Sequence, residues 1–196
     1  MSSGGIIMNI EYKTVYFEQT GPQNTDLTLM LAKERAEQLR IRNIVVASYT
    51  GNVGVKASEI FKDSNLIVVA GVVGFRAPNV DSMLPTNRDI IEGNGGKILH
   101  ATHAFGTLGR AVNRKFNTIQ IDEIIAHVLR LFGNGVKVAC EVTCMAVDAG
   151  LIRTDEDTIG VGGSGGGADT ALVVKPANTH MFFDFRIREI ICKPHL

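Results

Sequence analysis

The fold of this 196-residue chain is indicated most clearly by the segment Ile44-Val45-Val46-Ala47-Ser48-Tyr49-Thr50-Gly51-Asn52-Val53-Gly54. Its apolar, largely β-branched start predicts a short buried strand over residues 43–47. Hydroxyl and glycine residues follow at once, and a helix is predicted over residues 53–61 with Asn52 as its cap. A second apolar run, residues 66–70, repeats the strand pattern. Continuous apolar strands separated by helices are typical of a parallel sheet that is covered on both faces.

The rest of the chain continues this alternation of strands and helices. Further strands are predicted over residues 14–17, 97–99, 158–161, 171–175 and 186–192. Further helices are predicted over residues 24–39 (with Asn24 as the cap), 85–92, 107–116, 120–132 and 135–149. The sequence therefore predicts an α/β fold of three layers, a mostly parallel sheet with helices on both faces. We expect a single ligand-binding domain over residues 14–196, preceded by a leader over residues 1–13.

Composition excludes several classes of partner. The 20 basic residues balance the 20 acidic ones and form no basic cluster, so nucleic acid or an anionic membrane surface is not expected as the main partner. No apolar stretch is long enough to span a bilayer. Three cysteines and five histidines lack metal-ligand spacing, which predicts no metal site. An odd number of cysteines fits reduced thiols and a cytoplasmic location.

The loop after the strand at residues 43–47 is the first candidate for ligand binding. A strand that ends just before a helix places unpaired helix N–H groups, and the positive end of the helix dipole, at one point. The hydroxyls of Ser48 and Thr50 can donate to phosphate oxygens, Gly51 allows close backbone approach, and Asn52 adds an amide. The alternative is a turn whose hydroxyls only cap the helix. The loop is not a P-loop, because no Gly-Lys-Ser/Thr follows.

The second candidate is the glycine loop Gly160-Val161-Gly162-Gly163-Ser164-Gly165-Gly166-Gly167-Ala168-Asp169-Thr170. Because ordering so many glycines costs entropy, a ligand that fixes the loop is a reasonable explanation. We expect Gly162, Gly163 and Ser164 to close over an anion, with Asp169 and Thr170 supporting the loop. The alternative is a plain hairpin loop. A dinucleotide fingerprint is rejected because a strand, not a helix, is predicted to follow.

Two other residues are candidates for the ligand's surroundings. Phe75 lies in a long loop, residues 71–84, and either stacks on an aromatic ring or anchors the loop. His103 follows the strand at residues 97–99 and would lie at that strand's carboxyl end. Residues 18–25, at the end of the first strand, are expected to supply a further wall of the site.

The order of these segments resembles the C-terminal α/β domain of pyruvate kinase. More closely, the chain is similar to a stand-alone, mainly archaeal family of pyruvate-kinase α/β-domain-like proteins. The resemblance spans roughly residues 14–194 and rests on these segments: Tyr16-Phe17 with Gly21 and Asn24-Thr25, the loop from Ser48 to Gly51, Gly74-Phe75, Gly162-Gly163 with Gly166 and Ala168-Asp169-Thr170, and Glu189-Ile190-Ile191-Cys192. It implies the predicted sheet and a flavin mononucleotide (FMN) site at the strand ends.

The resemblance does not imply pyruvate kinase activity, because that chemistry belongs to a separate (β/α)8 barrel for which this chain has no room. The sequence predicts a protein that binds a phosphorylated small molecule, FMN by resemblance, and names no catalytic residue. Three roles stay open: a sensor or carrier, a flavin-dependent oxidoreductase in which His103 or a loop residue assists proton transfer, and a phosphosugar-binding regulatory module. A homo-oligomer is possible.

Overall fold

The computed structural model describes residues 10–195, and a seven-stranded sheet runs through their centre. In chain order its strands are β1 Val15–Phe17, β2 Asn43–Ala47, β3 Asn65–Val69, β4 Lys97–Leu99, β5 Thr158–Gly162, β6 Thr170–Lys175 and β7 Arg186–Pro194. Their spatial order is β1-β7-β6-β5-β2-β3-β4. Every neighbouring pair is parallel except those of β6, which is antiparallel to both β5 and β7. The predicted mostly parallel sheet is confirmed.

Helices cover both faces of this sheet. They are α1 Thr25–Leu39, α2 Asn52–Ile60, α3 Pro85–Gly93, α4 Thr107–Phe116, α5 Ile121–Arg130 and α6 Asn134–Asp148. Residues of α1, α2 and α3 share one core cluster with one face of the sheet, and α6 packs on the other face. The three-layer α/β architecture predicted from the sequence is therefore confirmed. Two short elements were not predicted, a 3-10 helix at Pro22–Asn24 before α1 and another at Thr179–Asp184 before β7.

The central strands β2, β3, β5 and β6 are largely apolar because both of their faces are buried. In β2, Ile44 and Val46 point into the cluster that holds α1 and α2, whereas Val45 points toward α6. All three side chains are fully buried. A strand with one solvated face would have alternated polar and apolar residues instead. The continuous apolar runs that identified the sheet are thus a direct consequence of the two helical layers.

Helix α6 is buried over most of its circumference, which explains why its sequence shows no single apolar stripe. Val136, Val138 and Cys140 alternate as in a strand, yet the segment is helical from Asn134 to Asp148. Gly150 follows with a φ of +70°, the left-handed conformation that glycine adopts easily after a helix. The prediction of a buried helix closed by glycine is confirmed.

Two predicted helix caps were wrong in their chemistry. Asn52 is the first residue of α2 and not its cap, since Gly51 occupies the cap position with a φ of +94°. The hydroxyl oxygen of buried Ser48 accepts a hydrogen bond from the Gly54 N–H at 2.9 Å and so satisfies one N–H group of the first turn. Asn24 does occupy the cap position of α1, but its side-chain oxygen accepts no hydrogen bond from the helix N–H groups, and its amide donates to the Gln19 carbonyl. Sequence preference for Asn at caps is only statistical, and local backbone geometry decided both cases.

Gly54 lets α2 approach the sheet closely. A Cβ at this position would lie 2.7 Å from Val68 Cγ1 and 2.8 Å from Ile91 Cδ1, so in Gly54→Ala these side chains or helix α2 must shift. We expect a loss of about 1–3 kcal/mol in the free energy of unfolding, measured by urea denaturation.

The matched control is Gly93→Ala at the end of α3, where an added Cβ meets no neighbouring atom. This variant should gain up to about 1 kcal/mol from helix propensity alone. Equal effects of the two substitutions would show that close packing at Gly54 is unimportant.

Candidate functional site

The two predicted loops lie at the same edge of the sheet, at the carboxyl ends of neighbouring strands. β2 and β5 are parallel and Val46 pairs with Val161, so the loops that follow these strands start side by side. β1 and β3 also end at this edge, because they run in the same direction. Ligands of open α/β sheets bind at this edge as a rule.

The loop after β2 is held in one shape by α3. The Thr50 carbonyl accepts hydrogen bonds from the Leu84 N–H at 3.1 Å and from the Asn87 side-chain amide at 3.0 Å. The same Asn87 amide donates to the Asn52 side-chain oxygen at 2.8 Å. Asn87 was missed by the sequence reasoning, because an Asn inside a predicted helix carries no local signal. It fixes the backbone of the loop before any ligand arrives.

Gly51 is required by this arrangement for steric reasons. A Cβ on Gly51 would lie 2.6 Å from both the Asn87 Cβ and the Met83 Sδ, and its φ is positive. The close approach that glycine permits is therefore to α3 and the preceding loop. Exposed Asn52, the first residue of α2, marks the helix end that faces the carboxyl edge.

The glycine loop is a hairpin between β5 and β6, as predicted, and its ends are tightly packed. A Cβ on Gly162 would lie 2.3 Å from the Gly135 carbonyl oxygen, and one on Gly167 would lie 2.2 Å from Pro22 Cα. At the tip, Gly165 and Gly166 are exposed and have φ of +61° and +85°. Close packing or a tight turn thus explains several of these glycines without a ligand. The tip of the loop is open to solvent.

Asp169 and Thr170 lie inside the protein. Neither has any exposed surface. The Asp169 carboxylate accepts from the Gly21 N–H at 2.9 Å and from the Thr170 hydroxyl at 3.0 Å. These contacts match the expected supporting role, and they leave neither side chain facing the open edge. They also bring the segment that follows β1 against the glycine loop.

Helix N-termini hold the rest of the glycine loop. The Asn134 side chain at the start of α6 donates to the Gly163 carbonyl at 2.9 Å. The hydroxyl of Thr25, at the start of α1, accepts from the Ala168 N–H at 3.1 Å. Ser164 lies half-buried between these two attachments. The loop is therefore built into the end of the sheet from both helical layers.

Aromatic and cationic side chains gather at the ends of β2, β3 and β4. The ring of Phe75 lies 5.6 Å from that of His103 and 6.4 Å from that of Tyr49, measured between centroids. The Arg76 guanidinium lies 5.1 Å from the Tyr49 ring centre and Arg110 lies 5.3 Å from that of Phe75. Phe75 and His103 were predicted as site residues, and the structure brings them together. The other three were not predicted as part of the site.

Two cavities adjoin these aromatic rings. One of about 160 Å³ lies between α6 and the ends of β2 and β3, with Tyr49 and His103 in its wall. The other, of about 210 Å³, lies between the loop carrying Phe75 and helix α4, with Arg110 and Arg114 in its wall. The glycine loop lines neither of them. The open volume thus lies toward β3 and β4, on the far side of β2 from the glycine loop.

A buried ion pair lies behind the first cavity. Lys137 and Glu141, one turn apart on α6, are paired, and both side chains are almost fully buried. Glu141 also accepts a hydrogen bond from the Phe105 N–H at 3.0 Å. Burial lowers the pKa of Lys137, although Glu141 opposes that shift. The sequence signal for this pair is two opposite charges four residues apart inside an apolar helix, and the sequence-based prediction missed it.

His103 is half-buried beside this pair. Burial lowers the pKa of His103, Glu141 raises it, and the positive charges of Lys137 and Arg110 lower it further. The net direction is downward, so the neutral imidazole is favoured at neutral pH. A neutral ring can both donate and accept a hydrogen bond, which a protonated ring cannot.

No known family model matches this chain. Within residues 10–195, no helix is long and apolar enough to cross a membrane, and no group of three or more His, Cys, Asp or Glu residues could hold a metal ion. Cys140 and Cys192 are buried, and burial raises the pKa of their thiols to about 12 and about 11. These cysteines therefore serve packing and not chemistry.

His103 predicts a pH dependence of stability. Its pKa in the folded protein lies below its usual value of 6.5, so the unfolded chain binds this proton more readily. The free energy of unfolding should therefore fall as the pH drops below about 6.5, and His103→Gln should remove part of that fall. Urea denaturation between pH 5 and pH 8 measures it. His180→Gln, at an exposed position, is the control and should follow the wild-type profile.

Asp169 predicts a mutational effect on stability. Asp169→Ala removes the acceptor of a buried N–H at Gly21 and of the Thr170 hydroxyl, and should cost about 1–3 kcal/mol of unfolding free energy. Asp169→Asn keeps one acceptor oxygen and should cost less. Asp155→Ala, which breaks an exposed pair with Arg153, should cost about 0–1 kcal/mol. A loss at Asp169 no larger than that at Asp155 would refute the supporting role.

Proposed function

We propose that this domain binds a phosphorylated aromatic small molecule, FMN, at the carboxyl ends of its parallel strands. The observation that carries the proposal is the placement of an aromatic and cationic cluster beside the start of α2, on one edge of the sheet. FMN is the ligand implied by the resemblance to stand-alone pyruvate-kinase α/β-domain-like proteins. A fold like the pyruvate kinase C-terminal domain is part of the same proposal.

The phosphate would lie at the start of α2. Helix N–H groups, the helix dipole and the Thr50 hydroxyl favour an anion there, and exposed Asn52 can add its amide. Ser48 would not contact the phosphate, because the residue is buried and its hydroxyl oxygen already accepts a hydrogen bond from the Gly54 N–H. Its role would be to fix the loop after β2 to the first turn of α2. Asn87 holds the same loop from the side of α3.

The aromatic ring of the ligand would lie against Phe75, Tyr49 and His103. Phe75 exposes 47% of its surface, so its ring is available for contact with a ligand. Arg76 and Arg110 already lie near the faces of Tyr49 and Phe75, and they add positive charge next to an anionic ligand. This aromatic wall favours a flavin over a phosphosugar, which has no aromatic ring to stack.

The glycine loop would close over the ligand from the side of β5. Its tip, Gly165-Gly166, is exposed, and its base is fixed by Asp169 and Thr170. Gly162, Gly163 and Ser164 start beside the end of β2, within the same edge. Because the open cavities lie on the other side of β2, contact with the loop would need the ligand to extend across that strand end.

A flavin-dependent oxidoreductase is the second candidate, and His103 is the observation that favours it. A half-buried, neutral imidazole beside the proposed ring position can accept a proton from a substrate, or donate a hydrogen bond to the flavin ring. Without such chemistry, the same site serves a sensor or carrier.

The binding proposal is tested by titrating FMN into the purified protein and following flavin fluorescence. Thr50→Ala removes a hydroxyl donor to a charged group and should weaken binding about 10- to 100-fold. Phe75→Ala removes the stacking surface and should also weaken binding. Thr86→Ala and Phe183→Ala, both at exposed positions, are the matched controls and should leave affinity unchanged.

Riboflavin and a sugar bisphosphate separate the parts of the proposal. Riboflavin lacks the phosphate and should bind more weakly than FMN, and Thr50→Ala should not weaken it further. Binding of fructose 1,6-bisphosphate without flavin binding would instead support the phosphosugar module. Absence of any FMN binding by the wild type would overturn the proposal.

A further inference from the structure

The helical hairpin formed by α4 and α5 carries a large apolar surface that nothing in residues 10–195 covers. Eight side chains of this hairpin and its connections each expose between 47% and 78% of their area. We call these residues the hairpin surface: Leu108, Phe116, Ile119, Ile121, Ile124, Val128, Leu131 and Phe132.

Helix α5 has two apolar sides, and only one of them faces its own domain. Ala126 is buried and Leu129 is partly buried against the cluster around α6. The other side presents Ile121, Ile124, Val128 and Leu131 to solvent, at spacings of three, four and three residues. That is the spacing of residues that meet a second helix along a narrow seam. A helix that only covered its own core would have polar residues at these positions.

Charged residues are kept away from this exposed side. Glu123 lies on another side of α5, where its carboxylate accepts from the Asn113 amide and from the Gln120 N–H. Arg130 also lies off the stripe, with its guanidinium near the Asn134 side chain. An apolar centre free of charge is the composition of interfaces between identical subunits.

The area is large enough for a stable dimer. The eight side chains together expose on the order of 1,000 Å², against roughly 300–600 Å² for the largest apolar patch of a typical monomer. A standard stable interface buries about 800 Å² per partner. The summed exposed area of the eight residues is therefore comparable with the area that one partner contributes to a standard interface.

We propose that the hairpin surface is the interface of a homodimer, in which the α5 helices of two copies pack against each other. In a twofold arrangement the same patch serves both copies, so a seam of four aliphatic residues can meet its own equivalent. This deepens the expectation of a homo-oligomer by naming its surface, and it is independent of the proposed ligand.

The arrangement leaves the proposed ligand site accessible. Arg110 and Arg114 lie on the side of α4 that faces the loop carrying Phe75, where they line a cavity. At 100° per residue, Leu108 and Phe116 lie on the opposite side of that helix. Ligand binding and dimer formation can therefore be tested separately.

The test is sedimentation velocity of the purified wild-type chain and of Val128→Lys/Leu131→Lys at about 5–100 μM. The wild type should sediment as a dimer and the double variant as a monomer, because each new charge would be buried without a partner in the interface. Met30→Lys/Leu27→Lys, two exposed apolar positions on α1, is the matched control and should remain dimeric. Circular dichroism confirms that all three proteins are folded.

Three results would overturn the proposal: a monomeric wild type across this concentration range, a double variant that stays dimeric, or a control that dissociates as readily as the double variant. A monomeric wild type that binds lipid vesicles through α5 would assign the surface to a membrane instead. FMN titration of the double variant keeps the two proposals apart, since loss of the dimer with unchanged FMN affinity leaves the ligand site standing.

Discussion

The carboxylate of Asp169 is the contact on which the carboxyl edge of the sheet depends. It accepts from Gly21 and Thr170 and so joins the segment after β1, the glycine loop and the start of β6 in the protein interior. Because Asp169 has no exposed surface, an unpaired partner there could not turn to water instead. The close glycine contacts around it, such as Gly167 against Pro22, pack the segments that this carboxylate links.

Most of the architecture could be predicted because a strand that is buried on both faces consists almost entirely of apolar residues. Short β-branched runs such as Ile44-Val45-Val46 are typical of a strand covered on both faces, which is the environment that the structure gives them. Loop and cap chemistry was harder to predict. Whether Ser48 or Asn52 caps α2 depends on a left-handed turn at Gly51, and that turn is stabilised by contacts with Asn87 some 35 residues later. Such distant partners leave no mark on a local pattern.

The candidate site was predictable only in part for the same reason. Phe75 and His103 were found because each follows a predicted strand, and a shared sheet edge brings such residues together. Arg110 lies on a helix that the sequence placed correctly, but nothing local indicates that it faces Phe75. The pair Lys137–Glu141 was detectable by its spacing within an apolar helix. The glycine-rich sequence drew attention to one loop, whereas the open volume lies beside another.

The sheet ends in β1 and β4, which have only three residues each. Edge strands this short offer few free backbone donors and acceptors. A strand of a second molecule could therefore form few hydrogen bonds with them. Lys97 on β4 adds a solvated charge to one margin. Short margins of this kind therefore disfavour growth by strand addition in a sheet whose interior is rich in β-branched residues.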